Sequence, residues 1–149
     1  MLRARTLAAV TAAAASGVLL LPSPAQAAGS VHLYKIYYDS PGSDGGANSS
    51  LNAEYVQIRN TTGYAVNLRG WTVTDLANHK YTFGSFTLGA GKIVTVRTGR
   101  GTNTSANVYQ NRGWYVWNND KDMATLRKPN GTWVDNCWYN SPQVDYKWC

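Results

Sequence analysis

The sequence predicts an all-β domain built as a sandwich or a barrel. Three observations carry this. Apolar residues alternate with a period of two through most of the chain after residue 27. Strand-like runs recur about every 8–12 residues, with Gly-, Pro- and Asn-rich turns between them. No stretch of that region carries the periodicity of a long helix. At 149 residues the chain has the length of one domain, and 15% charged against 12% aromatic residues excludes disorder and a coiled coil.

The first 27 residues stand apart. Arg3 and Arg5 precede an apolar, Ala-rich run from Leu7 to Leu21. Pro22 and Pro24 break it, and Ala25-Gln26-Ala27 has the form of a signal-peptidase site. The run of about 15 residues is shorter than the roughly 20 that a spanning helix needs. It reads as a secretory signal peptide cut after Ala27, not as a membrane anchor. Residues 28–149 then form the single domain, and loss of two arginines lowers the net charge from +6 to +4. That mild basic excess favours anionic partners, such as wall polymers or nucleic acid, without naming one. No other stretch could span a membrane.

The strands follow in order. Val31 to Tyr38 is rich in Tyr and β-branched residues, and residues 41–46 form a Gly-rich loop. Ala53 to Asn60 alternates clearly: Val56 and Ile58 point one way, Tyr55, Gln57 and Arg59 the other. Asn60-Thr61-Thr62-Gly63 is a turn. Val66 and Leu68 lead through Arg69-Gly70 to Trp71-Thr72-Val73-Thr74, where Trp71 and Val73 share a face. Short strands are expected at Lys80 to Phe83 and Phe86 to Leu88, and a β-branched one at Lys92 to Arg97. Thr98 to Asn107 reads as a polar loop, Trp114 to Trp117 as an aromatic segment, and 118–121 as a turn. Met123 to Lys128 and Thr132 to Trp138 pair across the tight turn Pro129-Asn130-Gly131.

Cys137 and Cys149 are the two cysteines. With an export signal they read as one disulfide, pinning the last residue to a strand. A redox pair or metal ligands are the alternatives, but there is no C-x-x-C spacing, and His32 and His79 are distant in sequence. Two isolated histidines and the single glutamate, Glu54, leave no nucleophile–base–carboxylate set, no metal-ligand cluster and no phosphate-binding Gly motif. No cofactor and no catalytic residue are assigned. Glu54 heads a strand and is expected to cap backbone or form an ion pair.

At this point the residues resemble the lamin tail domain family. The run Glu54-Tyr55-Val56-Gln57-Ile58-Arg59-Asn60, then Ala65 to Asp75 with its Val66-Asn67-Leu68-Arg69-Gly70-Trp71, is similar to that family's opening strand and G-W hairpin. Tyr81-Thr82-Phe83 and Leu88-Gly89-Ala90-Gly91 fit in order. So do Asn118-Asn119-Asp120, Ala124-Thr125-Leu126-Arg127 and Asn130 to Asp135. The resemblance covers roughly residues 31 to 139. It implies an immunoglobulin-like β-sandwich, found in secreted bacterial proteins alone or appended to enzymes, without a catalytic role of its own. The nuclear roles of animal lamin tails are not expected in an exported chain. Val56, Ile58, Trp71, Val73 and Leu126 are the expected core, with Trp71 bridging the sheets.

Three segments are candidate sites. Among the aromatics Trp114, Tyr115, Trp117, Trp133, Trp138, Tyr139, Tyr146 and Trp148, the run 114–117 cannot bury both parities of a strand, so Trp114, Tyr115 and Trp117 are candidate binding rings. Core packing and cover over the tail is the competing role. Asn118, Asn119, Asp120 and Asp122 could offer oxygens to Ca²⁺, although Lys121 interrupts them and such residues are ordinary in turns. Arg97, Arg100 and Arg112 around the 98–113 loop could meet anions, or remain solvated. His32 and His79 are expected as ordinary strand and loop residues. The expectation is a secreted, non-catalytic module that contacts cell-wall or other extracellular polymer or a protein. The alternative is a nucleic-acid accessory module using Arg97, Arg100, Arg112 and Arg127.

Overall fold

Two sheets and a short ribbon gather the alternating segments, each sheet with one apolar face. The computed structural model describes residues 28–149; the proposed leader, residues 1–27, lies outside the described residues. In chain order the elements are β1 (Val31–Tyr37), α1 (Asn48–Ala53), β2 (Tyr55–Asn60), β3 (Val66–Asn67), β4 (Thr72–Thr74) and β5 (Lys80–Thr82). There follow β6 (Thr87–Leu88), β7 (Ile93–Arg97), β8 (Asn107–Tyr109), β9 (Lys121–Arg127), β10 (Trp133–Asn140) and β11 (Tyr146–Trp148). One sheet has the order β11-β1-β2-β7-β8 and the other β10-β9-β4-β5, with β3-β6 as a ribbon. Every pairing is antiparallel except β7 with β8.

The core lies between the sheets, as in an immunoglobulin-like β-sandwich. Leu33, Ile36, Val56, Ile58, Val94 and Val96 come from the five-stranded sheet; Val73, Ala124 and Leu126 face them from the other. Trp71, Phe83 and Leu68 close one side. Burial of a side chain of this size stabilises by roughly 1.5–3 kcal/mol. The disulfide Cys137–Cys149 is formed and links β10 of one sheet to the end of β11 in the other.

Three polar residues lock the loops to this core. Asn60 is fully buried; its amide group donates to the carbonyls of Tyr64, Leu88 and Gly89 at 2.8–3.2 Å, and its oxygen accepts from the N–H and hydroxyl of Thr62. Buried Asp122 accepts from the N–H groups of Leu76, Met123 and Asn118 and from the Asn118 side chain. Glu54 is fully buried between α1 and β2. Its Oε1 accepts from the Thr98 hydroxyl at 2.7 Å and from the N–H groups of Val116 and Trp117 at 2.8 and 3.0 Å. Its expected backbone-capping role is thus carried out across more than 40 residues of sequence. Gly70, the residue before Trp71, has φ +79° and would set a Cβ 3.0 Å from the Pro129 ring, so a side chain there would be strained and would crowd the proline.

Three elements depart from the expected strand map. The helix α1 lies in a segment with one buried residue, Leu51, and no periodicity. Side-chain amides of Asn48 and Asn52 hold it from outside by donating to the Arg100 carbonyl at 3.0 and 2.8 Å. Strand β8, for which no strand was expected, begins at the last residue of the expected polar loop because Val108 is buried beside Val96. Strand β11 forms because Cys149 is bonded to Cys137 and its N–H reaches the Tyr34 carbonyl.

Candidate functional site

The 114–117 segment is not a strand, and it divides its rings. Trp114 is 62% exposed and rests against Gly46, edge-on to Tyr115. Tyr115 is half-buried, with its hydroxyl 2.7 Å from that of Ser50. Trp117, expected as a binding ring, is 2% exposed and belongs to the core, because its backbone N–H anchors on Glu54 and the indole turns inward. The candidate arginines are also largely engaged. Arg97 donates to the Asn52 carbonyl at 2.6 Å and to the Asn107 side chain at 2.8 Å. Arg112 donates to the Lys80 carbonyl and Arg127 to that of Gly131. Arg100 is exposed. Asp122, the second residue of β9, spends both its oxygens on N–H donors, so they tie loops together. No group of three or more metal-ligating side chains occurs among the described residues.

A different surface gathers the rings and cations. On the outer face of the five-stranded sheet, register places Tyr146, Tyr37, Tyr55, Arg97 and Tyr109 side by side on five successive strands. The Tyr37 ring stacks on Tyr55 at 5.5 Å and on Tyr146 at 6.1 Å. Two pairs along, Lys35 stands opposite Trp148. Its ammonium lies 4.2 Å from the Tyr146 ring centre, 4.6 Å from Trp148 and 5.4 Å from Tyr37. Arg59 sits over Tyr34, and Arg97 over Tyr55. Tyr34 meets Trp148 edge-on at 5.1 Å. A register shift between Leu33 and Lys35 lets both Tyr34 and Lys35 reach this face.

The electrostatics of the face are one-sided. Lys35, Arg59 and Arg97 lie on it, while the carboxylates that act on it, Asp145 and Asp39, are at the Tyr37 end, Asp145 3.4 Å from the Tyr37 hydroxyl. Burial first, then the Asp145 charge, pushes the Tyr37 phenol above its ordinary value. Burial also raises that of Tyr55, against the Arg97 charge. These rings therefore stay neutral and act as stacking surfaces for cations. Periodicity alone could not find the face: it joins strands distant in sequence, and β11 had no strand signal of its own.

The Glu54–Asn60 strand, the Gly70-Trp71 corner and the β9–β10 hairpin are the parts that carry a family pattern, and the family model of the Lamin Tail Domain matches residues 24–141. The chain belongs to the lamin tail domain family. No curated protein matches it. Within this lamin tail domain the buried locks, Glu54 and Asn60, head and end strand β2. Strand β11 lies beyond the matched residues, so Tyr146 and Trp148 are added to the aromatic face from outside the family's span. Among the described residues no helix is long and apolar enough to cross a membrane.

Proposed function

We propose that this lamin tail domain is a secreted, non-catalytic module that binds an anionic extracellular glycan on the outer face of its five-stranded sheet. The observation that supports it is the Lys35 ammonium seated over Tyr37, Tyr146 and Trp148, within a face that also carries Arg59 and Arg97. Aromatic rings give a sugar flat apolar contact, and cation heads beside them meet its carboxylates. The export-type leader and the disulfide agree with an extracellular setting. A binding rather than catalytic role agrees with Glu54 sealed in the core and with the His79 ring committed to buried Asp75 at 2.6 Å.

Single-stranded nucleic acid is the second reading, because the same face sets the cations Lys35, Arg59 and Arg97 beside rings on which bases could stack. The test is calorimetric titration of the purified protein with alginate, with a neutral glucan and with oligo(dT), at low and high salt. Alginate should bind best, and Lys35→Ala or Trp148→Ala should each weaken it about tenfold, equivalent to roughly 1.4 kcal/mol. Tighter, steeply salt-dependent binding of oligo(dT) would replace this reading with the nucleic-acid one. No binding to alginate would end it.

A further inference from the structure

We infer that the opposite face of the sandwich carries a second, separate site, for a phosphate or sulfate ester group. A hollow of about 330 Å³ opens on the outer side of the four-stranded sheet, lined by Thr72, Thr74, Asn78, Lys80, Arg127 and Lys128 and by the turn at 129–131. That volume is at the small end for ligand pockets and suits one sugar-phosphate-sized unit. Lys80, Lys128, two threonines and Arg127, which keeps donors beyond the one it gives the Gly131 carbonyl, surround it, and no acidic residue lines it. Register explains the grouping: Thr72 stands between Thr82 and Arg127, and Thr74 between Lys80 and Thr125. The two neighbouring carboxylates are turned away. Asp75 is buried and bound by the His79 N–H and ring, and Asp135 accepts from the Leu33 N–H on the other sheet.

The surface continues as a platform for what the ester is attached to. Trp133 and Trp138 are 54% and 55% exposed. Five residues of regular strand would put them on opposite faces. The register shift between Trp133 and Asp135 restores the parity, so Trp133 pairs with Arg127 and Trp138 with Met123, along one outward row of β9. The bulge thus brings a second exposed indole onto the face that holds the hollow. A tetrahedral oxyanion presents several acceptor oxygens, which matches a ring of ammonium, guanidinium and hydroxyl donors converging from three strands and a turn. Because the site uses a different sheet from the aromatic face, a module with both sites would join two polymer chains.

The test uses the purified protein, phosphodextran, dextran sulfate and alginate. The double variant Lys80→Ala/Lys128→Ala changes two exposed side chains, and circular dichroism checks its fold. It should lose at least about tenfold in affinity for phosphodextran or for dextran sulfate, the larger loss naming the ester, and keep its alginate affinity. Lys35→Ala should show the reverse pattern, so failure of either site is read separately. Unchanged affinity for both esters in the double variant overturns the inference. So does an equal loss for alginate, which would make the hollow a general positive surface.

Discussion

Cys137, buried in the middle of β10, is bonded to Cys149, the residue that follows β11, and this bond fastens the two sheets to each other beside the aromatic face. Tyr146 and Trp148 contact Lys35 on the segment that the bond holds down. The stability of the fold and the geometry of that face are therefore coupled through one covalent link.

Cys149→Ser, or reduction of the wild type, should lower stability by about 3 kcal/mol, the size expected for a loop of this length. It should also weaken binding of the aromatic-face ligand as strongly as Trp148→Ala does. Urea unfolding and titration with alginate check the two effects; full binding in the Ser variant would show that β11 stays docked without its bond. Native protein should present no free thiol.

Glu54 gives stability an unusual pH dependence. Burial, opposed by hydrogen bonds from Thr98, Trp117 and Val116, raises its carboxyl from 4.5 to about 7. Its Oε2 has no hydrogen-bond partner and can carry the proton. The folded state then holds more protons than the unfolded state between these values. The stabilisation is complete below the unfolded value and is lost as pH rises through about 7. The loss is on the order of 3 kcal/mol. Glu54→Gln keeps the acceptor oxygen and removes the charge, so its stability should stay level from pH 5 to 8 while that of the wild type falls. Chemical denaturation at each pH decides between them.

Trp71 is buried at the corner that Gly70 turns. Trp71→Ala should cost about 3–5 kcal/mol in urea unfolding, the range for deleting a core ring. A loss below about 1 kcal/mol would mean that the corner repacks without it.

Asp122→Ala leaves three backbone N–H groups and one amide without their acceptor. A loss of about 3 kcal/mol or more is expected from the same measurement. Because these donors already occupy both oxygens, calcium or a chelator should leave the melting temperature of the wild type unchanged.

Some of this protein is written locally. Val56, Ile58 and Val73 alternate with polar neighbours, and a strand with one buried face needs nothing more to show itself. Cys137 and Cys149 could pair only with each other, and the Glu54–Asn60 and Gly70-Trp71 patterns marked the family and its sandwich. Other features had no local sign. Trp117 looked like its neighbour Trp114, and only the distant Glu54 carboxyl draws it into the core. The arginines at 97 and 112 looked free until carbonyls from other segments met them. Tyr37, Tyr55 and Tyr146 are separated by 18 and 91 positions and become one stack only through strand register. Periodicity reports which way a side chain points from its own strand. Which strands lie side by side, and so which rings and charges share a surface, is fixed by long-range pairing and closure of the core.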